Sequence, residues 1–251
     1  MSRPQQYGTS MAPSRLLRTL VLAALISAPV SVFADHTYLT DSTAPDPLTL
    51  LPDPPVFGSD EAKADAYSAE HVYSTRSPAD LALAKEENVL TIFHFSQSLG
   101  PWFVKGKFPK TEALFVKVEA EARIATNRAK THWQRLRPYN AFPERFPDSV
   151  EHNPKTDYSY PSGHSTRGML FGTIFAELVP DKRAAILEQG KQIGWLRVEA
   201  GCHFPEDVFA GRILGLSVAH ALLQNSDFQR DLAEAKAELA AGRPKAFSIK
   251  S

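Results

Sequence analysis

The longest periodic segment of the 251-residue sequence spans residues 111–137 and reads TEALFVKVEAEARIATNRAKTHWQRLR. Apolar side chains recur in it at helical spacing, at Leu114, Phe115, Val118 and Ala122. The pattern stops at a proline, which cannot continue a helix. The segment therefore predicts one long helix with a single apolar face.

Each of the other helical patterns follows a typical helix start, namely serine, aspartate or proline. These starts are Ser59, Ser77 with Pro78, Asp181, Pro205, and Ser226 with Asp227. No alternating strand pattern with a hairpin turn stands out between them. The sequence therefore predicts an all-α fold, a single compact domain of roughly seven to nine helices.

Residues 1–34 differ from the rest of the sequence. Basic residues precede a short apolar run, which ends in the cleavage-site pattern Val32-x-Ala34. The run contains a proline and is too short for a comfortable membrane span, so an anchor is the weaker interpretation. We expect a cleavable signal peptide and a periplasmic or secreted mature chain from Asp35. Translation from the first or the second methionine fits this pattern.

Two segments follow the predicted signal peptide. Residues 35–58 are rich in proline and are expected to form an extended N-terminal arm lying on the domain. Residues 59–251 form the predicted all-helical domain, in which no apolar run approaches about 20 residues, so no membrane span is expected. Cys202 is the sole cysteine, which excludes an internal disulfide and a zinc-type cysteine cluster. No metal or other cofactor is expected.

The overall charge is balanced, with 28 basic and 28 acidic residues. This balance gives no reason to expect binding to a nucleic acid polymer or to an acidic membrane surface. Candidate functional residues therefore have to come from local clusters of side chains, and three such clusters stand out.

The first cluster is Lys130 and Arg137, which are seven residues apart. On one continuous helix they would lie two turns apart, with both cationic heads on the same face. The alternative is an ordinary solvated basic face, which Arg123, Arg128 and Arg135 would extend.

The second cluster is the stretch Pro161-Ser162-Gly163-His164, just before an apolar helical pattern. Ser162 and Gly163 stand where a helix N-terminus offers free N–H groups and the positive end of its dipole to an anion. Glycine lets the anion approach the backbone, serine adds a hydroxyl donor, and His164 can act as an acid or a base. The alternative is a capped helix with an incidental histidine.

The third cluster is Arg197, His203 and Asp207, within the stretch RVEAGCHFPED. Pro205 indicates a new helix start, which puts Asp207 in the first turn and near His203. A carboxylate at one ring nitrogen would fix the tautomer and leave a basic lone pair on the other, an activated nucleophile. The alternative is that both residues only cap a helix.

Together, the three clusters supply what phosphoryl transfer needs. Cations and neutral donors can hold the phosphoryl oxygens, one histidine can attack in line, and the other can protonate the leaving oxygen. The spacings are Lys130-x6-Arg137-Pro138, PSGH at residues 161–164, and Arg197-x5-His203-x3-Asp207. This arrangement resembles the three-part signature of the superfamily of type 2 phosphatidic acid phosphatases (PAP2) and vanadium haloperoxidases.

Within that superfamily the chain most resembles the secreted class A bacterial non-specific acid phosphatases. The resemblance extends from LLPDPP at residues 50–55 to the C-terminal DFQRDLAEAKAEL, nearly the whole predicted mature chain. Leu196 departs from the pattern, because the family usually has a serine there, and this bears on one minor hydrogen bond. The resemblance implies the all-helical fold, broad specificity, and small-molecule phosphate monoesters as substrates. It does not decide between a monomer and a homo-oligomer.

The resemblance also implies roles for the residues of the three clusters. His203 would attack phosphorus to form a phosphohistidine, with Asp207 orienting it, and His164 would protonate the leaving alcohol and then deprotonate water. The implied phosphate-binding residues are Lys130, Arg137, Ser162, Gly163, His164 and Arg197. No metal is implied, because the cations stand in for one.

Two other enzymes and one non-enzymatic function are the alternatives. A vanadium-dependent haloperoxidase could hold vanadate in the same pocket, although the similarity to compact secreted phosphatases disfavours it. A lipid phosphate phosphatase is disfavoured because those relatives span the membrane several times. A protein that only binds phosphate would not need paired histidines with an aspartate.

Overall fold

The computed structural model describes residues 37–244, so the predicted signal peptide and residues 245–251 lie outside the described part. Residues 37–244 contain seven α-helices of nine residues or more and no β-strand, which confirms the all-α prediction. With three helices of four residues each, the helices are α1 (Pro47–Leu50), α2 (Asp60–Thr75), α3 (Pro78–Glu86), α4 (Ser96–Leu99), α5 (Pro109–Trp133), α6 (Pro138–Ala141), α7 (Gly163–Leu178), α8 (Arg183–Glu199), α9 (Pro205–Leu223) and α10 (Ser226–Gly242).

Most of the helix starts are where the sequence predicts them, and side chains explain why. Ser59 caps α2, because its Oγ accepts a hydrogen bond from the backbone N–H of Ala62 at 3.1 Å. Ser77 and Asp80 form a reciprocal capping box at the start of α3. Pro205 is the first residue of α9.

Two predicted starts are wrong by one or two residues. The side chain of Asn225 caps α10 by accepting from the backbone N–H of Phe228 at 2.9 Å, so Ser226 is the first helical residue and not the cap. Residues 180–182 form a 3₁₀ turn, and α8 follows it from Arg183 instead of beginning at Asp181. Such shifts are common where 3₁₀ turns and caps compete for the same end.

Helix α5 is the longest helix among residues 37–244, but it ends earlier than predicted. It stops at Trp133, because Gln134 takes a left-handed conformation with a φ of 49°. Arg137 precedes Pro138 and is therefore extended, with a ψ of 156°, at the start of α6. The prediction that Lys130 and Arg137 share one helix face is wrong, and the two cations converge from different elements.

Helix α7 lies at the centre of the described fold, and α8 and α9 pack most extensively against it. A Cβ added to Gly190 of α8 would lie 2.6 Å from the carbonyl oxygen of Gly168 in α7. A Cβ added to Gly215 of α9 would overlap the carbonyl oxygen of Thr166 in α7. The backbones of the three helices are therefore in direct contact, and side chains of any size are excluded from these positions.

Aromatic rings fill the core between α5 and α7. Phe115 stacks on Phe175 with ring centroids 4.3 Å apart, and it meets the edge of Phe171 at 5.3 Å. None of the helices in residues 37–244 is long and apolar enough to cross a membrane.

The segment predicted to be an extended N-terminal arm is described from residue 37 onward and contains the helical turn α1. Its side chains Tyr38, Leu39 and Leu51 are buried in the main core. The hydroxyl of Tyr160, which lies just before α7, donates to the carbonyl oxygen of Pro52 at 2.7 Å. These contacts tie the segment to the region that carries the candidate site.

Candidate active site

A cleft of about 300 Å³ opens between α5, the start of α7 and the loop that joins α6 to α7. Five of the eight predicted site residues line it, namely Lys130, Arg137, Gly163, His164 and His203. The other three are buried beside the lining residues, namely Ser162, Arg197 and Asp207. The fold therefore brings all three sequence clusters to one place.

His203 lies in the turn between α8 and α9 and is 1% exposed. Its Nε2 lies 3.2 Å from Nη1 of Arg137. A guanidinium can only donate, so Nε2 carries the lone pair and the ring hydrogen is on Nδ1. Burial, helped by the positive charge of Arg137, lowers the pKa of His203 to about 3. The ring is therefore neutral at ordinary pH, which is the form that a nucleophile needs.

Asp207 and Ser159 hold the other nitrogen of the His203 ring. Oδ2 of Asp207 lies 3.4 Å from Nδ1, and Oγ of Ser159 lies 3.2 Å from the same nitrogen. Ser159 also donates its hydroxyl hydrogen to Oδ2 of Asp207 at 2.5 Å. The Nδ1 hydrogen is thus shared between a carboxylate and a hydroxyl, which fixes both the tautomer and the orientation of the ring.

Arg135 neutralises the buried carboxylate of Asp207. Its Nη1 lies 2.7 Å from Oδ1 of Asp207, and its Nη2 lies 2.6 Å from Oδ2 of Asp65. Burial alone would raise the pKa of Asp207, but Arg135, His203 and Ser159 outweigh burial and hold the pKa well below its usual range. Asp207 is therefore a carboxylate and can accept the Nδ1 hydrogen.

Ser162 and Gly163 begin α7, as the sequence predicts. Ser162 is the N-cap, and its Oγ accepts from the backbone N–H of Ser165 at 3.3 Å. Gly163 is the first helical residue and lines the cleft. The N–H groups of Gly163 and His164 come before the first hydrogen bond within the helix, and both residues lie at the edge of the cationic cleft.

His164 contacts two backbone carbonyl oxygens. Its Nε2 lies 3.3 Å from the carbonyl oxygen of Glu87 and 3.2 Å from the carbonyl oxygen of Asn88. Carbonyl oxygens only accept, so Nε2 carries the hydrogen and Nδ1 carries the lone pair. Burial, followed by the positive charges of Arg197 and Arg167, lowers the pKa of His164 well below its ordinary value. His164 is therefore neutral in this structure.

Arg197 projects from α8 and is 1% exposed. Its Nη2 donates to Oε1 of Glu151 at 2.5 Å and to Oδ1 of Asn88 at 3.0 Å. Its Nε is buried and has no hydrogen-bond partner in the described part of the chain. A buried N–H without a partner is rare in folded proteins, so Arg197 has one hydrogen-bond donor that its neighbours do not use.

Two carboxylates from the loop between α6 and α7 contact the cations of the site. Glu151 bridges Arg197 and Arg137, with the second contact at 3.3 Å. Asp157 lies 3.0 Å from Arg137 and 3.8 Å from Lys130. Burial lowers the pKa of Lys130 to about 8, which leaves the amine charged at neutral and acidic pH. A phosphoryl group that binds these cations would exchange places with the two carboxylates.

Several residues of the site were missed by the sequence analysis. Arg135 enters the sequence analysis only as part of an alternative solvated basic face, whereas its side chain is 11% exposed and paired with Asp207. Ser159, Glu151 and Asp157 lie in a loop without periodicity, so no spacing pattern indicates them. The one available signal is position, because Ser159 stands directly before the YPSGH stretch.

Comparison with known proteins adds to this geometry. Residues 113–231 match the family described as the PAP2 superfamily, and this range includes all eight predicted site residues. The chain is 30% identical to a non-specific acid phosphatase from Providencia stuartii over 222 residues. This alignment covers 84% of this chain and 88% of that relative. The chain belongs to the PAP2 superfamily. It falls within the class A non-specific acid phosphatases, as the resemblance along nearly the whole predicted mature chain indicates.

Other relatives of this PAP2 chain are also phosphatases by name. An acid phosphatase from Zymomonas mobilis is 29% identical over 240 residues, which is 91% of this chain and 89% of the relative. A lipid A 1-phosphatase from Rhizobium etli matches over a shorter stretch, with 44% identity over 57 residues, 23% of this chain and 25% of the relative. The prediction of a phosphatase in the PAP2 superfamily is confirmed.

Proposed function

We propose that this PAP2 phosphatase hydrolyses a broad range of phosphate monoesters through a phosphohistidine formed on His203. One observation carries the proposal: Nε2 of the neutral His203 ring lies 3.2 Å from Arg137, while Asp207 and Ser159 hold the Nδ1 hydrogen. A neutral ring nitrogen whose lone pair is fixed beside clustered cations is suited to attack a bound phosphoryl group. A site that only bound phosphate would not need this oriented histidine nitrogen.

In the proposed first step, the phosphoryl group binds among the cations of the cleft, with oxygens near the first turn of α7. Nε2 of His203 donates its lone pair to phosphorus while the bond between phosphorus and the ester oxygen breaks. The electrons of that bond go to the ester oxygen, which takes a proton from His164 and leaves as the alcohol. Asp207 stabilises the positive charge that develops on the His203 ring.

In the proposed second step, water replaces the alcohol. His164, now neutral, accepts a proton from the water as its oxygen attacks phosphorus. The bond between phosphorus and Nε2 breaks, its electrons return to His203, and inorganic phosphate is released. The phosphate takes the proton from His164 as it leaves, so both histidines are again neutral, as they were before the substrate bound.

The proton on His164 is proposed to arrive with the substrate. The ring is neutral in the structure, because burial and neighbouring cations lower its pKa. A phosphate monoester keeps one proton below about pH 6. When it binds, its negative charge raises the pKa of His164, so Nδ1 can take that proton. The proposal predicts an acidic optimum, since the dianion that prevails at higher pH brings no proton.

We also propose that the reaction needs no metal ion, because Lys130, Arg137 and Arg197 supply the positive charge that a metal would supply. Secretion to the periplasm is proposed from the sequence of residues 1–34, which predicts a signal peptide.

The purified mature protein is expected to hydrolyse aryl, sugar and nucleoside monophosphates, faster at mildly acidic than at neutral pH, and equally with and without EDTA. Phosphate release is the measurement. Loss of activity in EDTA that added metal restores would contradict the metal-free mechanism. Halide oxidation in the presence of vanadate and peroxide, without ester hydrolysis, would favour the haloperoxidase alternative.

Replacing His164 with asparagine is expected to lower kcat/KM about 100-fold for alkyl phosphates and much less for aryl phosphates. An alkoxide is a poor leaving group and needs the proton, whereas a nitrophenolate leaves without one. Steady-state kinetics on both ester classes is the measurement, with His132→Asn as the control, since His132 is exposed on α5. Equal losses for the two classes would count against the acid role.

A further inference from the structure

A second pair of cations lines the same cleft as the proposed phosphate site. Arg123 of α5 and Arg167 of α7 face the cleft together with Lys130 and Gly163. Arg167 follows Gly163 by one helical turn, and Arg123 precedes Lys130 by two turns, about 10 Å along the helix axis. The pair therefore lies one to two turns away from the groups that would hold the reacting phosphoryl.

The two guanidiniums share a single carboxylate oxygen. Oε1 of Glu119 accepts from Nη2 of Arg123 at 2.7 Å and from Nη1 of Arg167 at 3.0 Å. One negative charge thus faces two positive charges, and the group of three side chains keeps a net positive charge. Lys130, Arg137 and Arg197, the inner cations, already contact carboxylates, which an incoming phosphoryl group would replace. That group would leave the outer arginines, Arg123 and Arg167, with the same single carboxylate as before.

Arg167 is held in place and has donors to spare. Its Nε donates to the carbonyl oxygen of Gly163 at 3.3 Å, and its side chain is 16% exposed. Its Nη2 takes part in none of the hydrogen bonds found among residues 37–244. Burial, together with the positive charges of Arg123 and Arg197, lowers the pKa of Arg167, although Glu119 acts in the opposite direction.

Resting on the proposed phosphatase activity, we propose that Arg123 and Arg167 form a second anion-binding subsite. The preferred substrates are then phosphate monoesters that carry a further anionic group, such as a second phosphate, five to ten ångströms or so from the ester phosphorus. The reacting phosphoryl binds at the start of α7, and the second anion binds the outer arginines. A guanidinium fork suits this role, because it can bind a phosphate through two parallel hydrogen bonds.

The test compares hexane-1,6-diol bisphosphate with hexyl phosphate, because the two have the same reacting ester and differ only in the second phosphate. We expect the wild-type protein to favour the bisphosphate by about tenfold in kcat/KM at low ionic strength. Arg167→Gln and Arg123→Gln are each expected to reduce that ratio severalfold. Arg128→Gln is the control, because Arg128 also projects from α5 but pairs with Asp46 instead of lining this cleft.

The bisphosphate has two equivalent ester ends, so a wild-type ratio of about two is expected without a subsite. A ratio no larger than that, or one that neither Arg167→Gln nor Arg123→Gln changes, would overturn the subsite while hexyl phosphate hydrolysis upheld the phosphatase proposal. No hydrolysis of either ester would overturn both proposals. Arg123 is the safer position if Arg167→Gln fails to fold, because its side chain is 63% exposed.

Discussion

Replacing His203 with alanine is expected to lower kcat/KM for p-nitrophenyl phosphate by about 10⁴-fold or more, which corresponds to about 5.5 kcal/mol of transition-state stabilisation. The variant keeps the cations that are proposed to bind the phosphoryl group but loses the neutral ring that a carboxylate orients and that contacts Arg137. Steady-state kinetics on a variant with unchanged circular dichroism is the measurement. Acid-sensitive phosphorylation of the peptide that contains residue 203 should appear in the wild type during turnover and disappear in the variant.

The matched control for this experiment is His132→Ala. His132 is exposed on α5, two residues from Lys130, and removing its ring should leave the rate close to that of the wild type. A folded His203→Ala protein with near-normal activity would show that the nucleophile lies elsewhere. Phosphorylation of another residue in that variant would lead to the same conclusion.

Asp207→Asn is expected to have the second largest effect, with a loss of roughly 10³-fold in kcat/KM. An asparagine amide cannot provide the negative charge that stabilises the phosphorylated ring. The change also leaves Arg135 with only Asp65 as an ionic partner. Removing one member of a buried ion pair typically lowers the free energy of unfolding by about 3 kcal/mol.

The stability difference between wild type and Asp207→Asn should depend on pH in a defined direction. Because the folded state holds the pKa of Asp207 below its usual range, the carboxylate adds stability at pH values above its unfolded pKa of about 4. That contribution is lost as the pH falls towards the folded pKa. Urea unfolding of both proteins should therefore show a larger difference at neutral pH than near pH 3.

Glu206→Gln is the control for Asp207→Asn. Glu206 lies in the same first turn of α9 and is exposed, so its change removes the same charge from the same helix end. Its effects on rate and on stability should be small. If the two variants lost activity equally, the orienting role of Asp207 would be refuted.

Local signals were enough to predict most of the fold and the eight candidate residues that the fold brings together at one cleft. A serine, a proline and an aspartate at positions 77, 78 and 80 define a helix start by short-range hydrogen bonding alone. The spacing of His203 and Asp207 around Pro205 works in the same way, because four residues across a helix start bring the side chains together. These features depend on neighbours in sequence, so they can be predicted from it.

Features without a local sequence signal were not predicted. The left-handed Gln134 ends α5 without a glycine or asparagine to indicate it. Arg135 pairs with Asp207, which is 72 residues away. Glu151 contacts Arg197 across 46 residues from a loop without periodicity. Pairs of opposite charge at such separations have no spacing rule, and only the folded backbone brings them together.

The glycine contacts that join α7, α8 and α9 also bear on how one site can serve substrates of different size. Helix α7 carries His164, α8 carries Arg197, and α9 begins directly after the turn that holds His203. These three side chains therefore stand on one block of helices, in which direct backbone contacts fix the distances between α7, α8 and α9. Lys130 and Arg137 stand outside that block, on the last turn of α5 and beyond it. In the proposed mechanism, the nucleophile, the acid and Arg197 therefore keep the same spacing whatever alcohol the phosphoryl group carries. Lys130 and Arg137 complete the phosphoryl site from outside the block.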